Sequence, residues 1–178
     1  MPPQIALLRG INIRARNRIS MPDLRDSLSE AGFHDARTYV QSGNVVMSSD
    51  LPPERLAREL EQLIAKRFSL DIRVVVRTRA ELAKVVGRNP LGDVADDPKR
   101  YQVTFLSGKL GRDVIDRLKQ AAAPSERYEV IGLEVYAWHP DGVARSKLWS
   151  TLAGQGLGVA ATSRNWTTVE KLLALADE

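Results

Sequence analysis

Residues 88–100 read RNPLGDVADDPKR. Two prolines, one glycine and five charged residues after Arg88 leave this stretch without an apolar period, so it reads as a linker. The chain follows the same order on either side of it.

Ahead of the linker, residues 5–8 form a short apolar run, the mark of a buried strand. Ser20-Met-Pro-Asp23 resembles a capping box, and Met21, Leu24, Leu28 and Ala31 then recur at helical spacing up to Gly32. Residues 38–41 and 44–48 read as strands around a Ser42-Gly43 turn. Leu56, Leu60, Leu63, Ile64 and Phe68 mark a helix after Pro52-Pro53, and residues 72–76 are a β-branched strand. Thr78-Arg-Ala-Glu81, a second capping box, opens a short helix through Leu82, Val85 and Val86 that closes at Gly87. Beyond the linker, residues 101–106 are a strand, and Val114, Ile115, Leu118 and Ala122 mark a helix. Residues 128–131 and 134–138 are strands around Gly132-Leu133. Leu148, Trp149 and Leu152 mark another helix, residues 158–161 a short strand, and Trp166, Val169, Leu172, Leu173 and Ala176 a final helix.

Each half therefore reads βαββαβ followed by a helix, the split βαβ order. The expectation is an α+β fold of two tandem ferredoxin-like subdomains packed together. Residues 1–87 form the first, 88–100 the linker and 101–178 the second. The halves share topology and no evident sequence identity.

Composition narrows the chemistry. The chain has 178 residues, 43% hydrophobic and 27% charged, which suits a globular protein with a core of its own. It has no cysteine, so disulfides, thiolate nucleophiles and zinc–thiolate sites are excluded together. His34 and His139 are the only histidines and fall in different halves, so no metal site and no cofactor are expected. The run at residues 5–8 is too short for a signal peptide, and no apolar stretch approaches the roughly 20 residues of a membrane span. The expectation is a cytoplasmic protein with no membrane partner. Phosphate-binding and nucleophile-elbow motifs are absent, and Gly154-Gln-Gly156-Leu-Gly158 lies between helix and strand, the wrong order for dinucleotide binding.

The net charge of +4 is modest, but its distribution is uneven. Residues 1–22, 36–49 and 142–169 contain no Asp or Glu. They hold Arg9, Asn12, Arg14, Arg16, Asn17 and Arg18, then Arg37, Gln41, Ser42 and Asn44, then Arg145, Ser146, Lys147, Arg164 and Asn165. Donor-rich segments without carboxylates suit an anion. Each motif also has a structural reading. Arg9-Gly10 can be a local ion pair beside a turn, Arg14, Arg16 and Arg18 a solvated loop, and Ser42-Gly43 a hairpin turn. Ser146 and Asn165 are suited to cap helices, with Trp166 in the core. Ser146 and Lys147 are adjacent, so their side chains diverge and form no dyad.

The residues LLRGIN at 7–12, Asn17, Met21, Gly32-Phe33 and TYVQSGN at 38–44 closely resemble a bacterial family known as domain of unknown function 1697. So do the Asp141-Gly142 pair with RSKL at 145–148, and the AT, S, RNW and TTV residues at 161–169. The resemblance covers nearly the whole chain and implies an α+β fold with a ferredoxin-like subdomain. No activity is established for that family, so it carries over no catalytic residues. Arg14-Ala15-Arg16 departs from the glycine-rich turn usual there.

The reading that follows is binding of a small anionic ligand, phosphate-bearing or nucleotide-like, at a donor-rich site between the subdomains. Its expected residues are Arg9, Asn12, Gln41, Asn44, Lys147, Arg164 and Asn165. The alternative is an RNA-binding or protein-interaction module without catalysis. The aromatics that RNA-recognition sheets use are missing from residues 5–8 and 44–48. No residue pattern assigns a reaction, a pathway or an oligomeric state.

Overall fold

The computed structural model describes residues 1–13 and 15–178; Arg14 of the basic loop lies outside the described residues. The fold is α+β, with two four-stranded antiparallel sheets and six helices among the described residues. The backbone divides into two compact units, Met1–Lys84 together with Lys171–Glu178, and Val85–Glu170.

The first unit contains β1 (Pro3–Leu8), α1 (Met21–Glu30), β2 (Arg37–Tyr39), β3 (Asn44–Ser48), α2 (Pro53–Phe68) and β4 (Val74–Thr78), and α3 (Arg79–Arg88) starts in it. The sheet order is β2-β3-β1-β4, with Ile5 opposite Val46 on one side and Arg77 on the other. Alternation along the strands sends Ala6, Leu8, Val45, Met47, Val74 and Val76 toward Leu24, Leu28, Leu56, Leu60 and Ile64 of α1 and α2. Ile5, Leu7, Val46 and Val75, on the opposite face, are buried as well. This double burial explains why β1 reads as an unbroken apolar run. The caps are as expected. The Ser20 hydroxyl accepts the Asp23 N–H at 3.1 Å, and the Thr78 hydroxyl accepts the Glu81 N–H at 3.1 Å. The chain's last turn is pinned within this unit. Arg37 Nη2 donates to the Leu175 carbonyl at 2.7 Å, and Arg79 Nε to Asp177 at 2.7 Å.

The second unit holds the end of α3, then β5 (Tyr101–Leu106), α4 (Arg112–Ala121), β6 (Arg127–Ile131), β7 (Glu134–Trp138), α5 (Lys147–Ala153), β8 (Ala161–Asn165) and the start of α6 (Trp166–Ala176). Its sheet order, β6-β7-β5-β8, repeats that of the first. Leu106, Val135, Ala137 and Ala161 face Val114, Leu118, Leu148 and Leu152 of α4 and α5. On the other face lie Tyr101, Phe105 and Tyr136, and Trp166 stacks on Tyr101 with ring centroids 4.7 Å apart and planes 14° apart. Trp166 is therefore a core residue.

Several expectations differ in position, among them the strands expected at 38–41 and 72–76, which run over Arg37–Tyr39 and Val74–Thr78. The last strand runs over Ala161–Asn165 rather than 158–161. Gly158 has a φ of 76°, which is not extended, whereas Ala161 through Asn165 pair residue by residue with Leu106 through Gln102. Residues 88–100 lie inside the second unit. The buried Leu91 donates its N–H to the Tyr101 hydroxyl at 3.3 Å, and the Pro98 carbonyl accepts the Trp166 N–H at 3.1 Å. The turn-forming composition marked irregular backbone, and those residues still make tertiary contacts.

Candidate functional site

In the first unit, the donor-rich residues build a clasp. Asn12 has a φ of 55°, a left-handed conformation that asparagine tolerates better than most residues. Its amide nitrogen donates to the carbonyls of Ile19 at 2.8 Å and Gln41 at 2.7 Å, and its oxygen accepts the Ile19 N–H at 2.9 Å. Asn17 Nδ2 donates to the Gly10 carbonyl at 3.0 Å. The buried Asn44 donates from Nδ2 to the Tyr39 carbonyl and the Ser42 hydroxyl. Gly43, at a φ of 84°, has room for no Cβ, since one there would sit 2.7 Å from Leu8 Cβ. The structure thus brings Asn12 and Gln41 together, but Gln41 takes part through its carbonyl. The half-buried Arg9 donates its N–H to the Arg73 carbonyl at 2.9 Å.

In the second unit, Arg164 and Lys147 do not share a face. Ala161 and Ser163 face α5, so Arg164, between Ser163 and Asn165 and opposite Val103, points from the other side of the sheet. Arg164 is 8% exposed and donates to the Thr162 hydroxyl at 2.6 Å and the Ser163 carbonyl at 2.9 Å. Burial pushes its guanidinium down to about 10, so it is still a cation at neutral pH. Asn165 caps α6, its Oδ1 accepting the Thr168 N–H at 2.9 Å. Lys147 is exposed at the start of α5.

Lys147 lines a pocket of about 450 Å³ in this unit with Arg145, Ser146, Glu126, Asp141 and a patch of Ala121, Ala122 and Ala123. Glu126 organises its wall. Glu126 Oε2 accepts from His139 Nδ1 at 2.5 Å and from the Ser146 hydroxyl at 2.6 Å, and Oε1 accepts the Ala123 N–H at 2.9 Å. A carboxylate can only accept, so His139 Nδ1 is the donor in this contact. Ser146 in turn caps α5, its hydroxyl accepting the Trp149 N–H at 3.0 Å. Burial raises the Glu126 pKa, but the bonds from Ser146, Ala123 and His139 outweigh it and hold the carboxyl below its usual value. The Glu126 negative charge is thus matched by donors within the protein. At the pocket edge, Asp141 accepts from the Ser125 hydroxyl at 3.0 Å, while Arg145 is exposed.

Glu126 and His139 were absent from the residues expected at a site, although the signal was present. Counting pairs outward from Gly132-Leu133 matches Ile131 with Glu134 and Arg127 with Trp138. One step further sets Glu126 beside His139.

Four of the five aromatic residues in the strands of the second sheet are closed to bases, and the fifth, Tyr128, packs partly buried against the core. Tyr101, Phe105, Tyr136 and Trp138 are all at most 7% exposed, so they cannot stack on bases from solvent. Among the described residues, no three His, Asp or Glu side chains gather to hold a metal ion. No described helix is long and apolar enough to cross a membrane.

The fold and these motifs define a family, and the family model confirms it. A model described as a protein of unknown function (DUF1697) matches residues 1–136, and the chain belongs to that family. No curated protein matches it. A solved structure, that of the conserved bacterial protein SP0830 from Streptococcus pneumoniae, is similar with a TM-score of 0.80 at 20% identity, covering 98% of each chain. At that identity the likeness concerns the fold.

Proposed function

We propose that this protein binds a small anionic, phosphate-bearing molecule in the pocket beside Ser146. The observation that carries this reading is the placement of the exposed Arg145 and Lys147 on the wall of a pocket of about 450 Å³, next to a carboxylate already matched by three donors. That volume is in the usual range for small-molecule sites. The two cations attract an anion against the one exposed carboxylate of the lining, Asp141, which the Ser125 hydroxyl meets at 3.0 Å, and the alanine patch offers an apolar area that suits the base of a nucleotide. Two cations hold and orient a ligand and do not by themselves catalyse a reaction, and the Ser146 hydroxyl is committed to Glu126 and to the Trp149 N–H. The strand order β2-β3-β1-β4 and its repeat favour reading each unit as ferredoxin-like, with the pocket beside the β6–β7 hairpin.

The test is a thermal-shift titration with inorganic phosphate, AMP and ATP. A ligand that binds the folded state raises the Tm with its concentration. The expected result is a rise with AMP or ATP that Arg145→Ala and Lys147→Ala diminish and Arg58→Ala, on α2, does not. No rise with any of the three up to about 10 mM, tenfold above a weak Kd of about 1 mM, contradicts the reading.

A further inference from the structure

In the second sheet β6 is an edge strand. It pairs with β7 and with no other described strand, so one row of its backbone groups has no neighbour in the sheet. The bonds of β7 identify that row. The Leu106 N–H donates to the Leu133 carbonyl at 2.9 Å, and the His139 N–H to the Arg100 carbonyl at 3.0 Å. Odd-numbered residues along β7 thus turn their backbone toward β5, and Glu134, Tyr136 and Trp138 turn theirs toward Ile131, Glu129 and Arg127. The N–H and C=O groups of Tyr128 and Val130 are left pointing away from the sheet. The side chains of Tyr128 and Val130 pack partly buried against the core, whereas Arg127 and Glu129 are exposed on the other face. Among the described residues neither Arg127 nor Glu129 forms an ion pair.

We infer that β6 is the interface of a homodimer, pairing antiparallel with β6 of a second copy about a two-fold axis at Tyr128. The free N–H and C=O of Tyr128 in each copy bond to those of the other. Arg127 then stands directly opposite Glu129 of the partner subunit, and the two-fold axis repeats the pair. Such residues form a non-hydrogen-bonded pair, the position where cross-strand side chains come closest. Charged residues on an edge ordinarily keep foreign strands away. Opposite charges two residues apart on one face instead select an identical strand, because the axis between them reverses their order. An axis at Glu129 would set that carboxylate against its own copy, so the charge pattern also fixes the register. Arg145 and Lys147 take no part in this pairing, so it can fail or hold independently of the pocket beside Ser146.

Sedimentation velocity of the full chain, at about 50 mM salt and from about 5 to about 500 µM protein, tests this. The wild type should shift with concentration from the 19.7 kDa of one chain toward twice that mass. Arg127→Glu and Glu129→Arg each set like charges opposite one another across the axis, and each should weaken self-association at least about tenfold. Both positions are exposed, so both variants should fold. An equimolar mixture of the two variants should dimerise again, because each cross-strand contact between them joins opposite charges. A wild type that stays monomeric up to about 500 µM overturns the proposal. Single variants that associate like the wild type also overturn it, by placing the interface elsewhere, and so does a mixture that stays monomeric.

Discussion

Glu126 and His139 face each other across the open end of the β6–β7 hairpin, with Glu126 Oε2 2.5 Å from His139 Nδ1. His139 has no exposed surface, and the Glu126 side chain is 5% exposed. The same carboxylate holds the Ser146 hydroxyl that caps α5, so one buried acid links a hairpin, a helix and a pocket wall.

That linkage has a pH signature. The Glu126 carboxyl is held below its usual value, so its folded pKa lies below the unfolded one. A depressed carboxyl stabilises the fold above the unfolded pKa, and the contribution is lost as pH falls through the folded value. The stability difference between wild type and Glu126→Gln should therefore be full at neutral pH and shrink as pH falls below the ordinary glutamate range of about 4.3. Urea unfolding at a series of pH values checks this. A difference that stays constant down to the acid limit would show that the charge on Glu126 is not what holds the cluster.

The clasp in the first unit should matter to stability through one amide and hardly at all through the other. Asn12→Ala removes three hydrogen bonds and leaves a residue with a Cβ at a left-handed φ, and should cost about 2–4 kcal/mol. Gln41→Ala retains the carbonyl that Asn12 uses and should change stability by less than about 0.5 kcal/mol. Equilibrium denaturation of both variants separates the two roles, and equal losses would mean that the Gln41 side chain has a structural partner after all.

Two glycines of these loops should differ in the same assay. Gly43→Ala combines a φ of 84° with a Cβ 2.7 Å from Leu8 Cβ and 2.8 Å from Ile11 Cδ1, and should cost about 2–5 kcal/mol. Gly10→Ala has a φ of 67° and open space around the new methyl, so about 1 kcal/mol is expected. The ratio matters more than either figure, because both variants share the backbone penalty and only one has the clash.

Much of this was legible in the sequence because it is local. Ser20, Thr78, Ser146 and Asn165 each cap the helix that their spacing announced, and the apolar runs at 44–48, 101–106 and 134–138 became strands with those bounds. The site was less legible because it depends on which side of a strand each residue takes. Arg164 and Lys147 share a carboxylate-free stretch, yet strand alternation turns Arg164 to the face away from α5. Asn12 and Asn44 carry amide donors, but those donors go to the Ile19, Gln41 and Tyr39 carbonyls and the Ser42 hydroxyl and so hold the loops. A donor count cannot separate an amide that holds a loop from one that waits for a ligand. Glu126 lies outside the carboxylate-free segments, so a search for donors does not reach it.

Isothermal titration of AMP into the wild type and into the Arg145→Ala/Lys147→Ala double variant tests the central claim most directly. The wild type should release or take up heat with a saturable 1:1 profile, and the double variant should bind at least about tenfold more weakly, a loss of about 1.4 kcal/mol or more for two charge-assisted contacts at an exposed rim. Equal affinities in the two proteins, or no binding to the wild type of either AMP or ATP up to about 10 mM, would contradict the assignment of this pocket to a phosphate-bearing ligand.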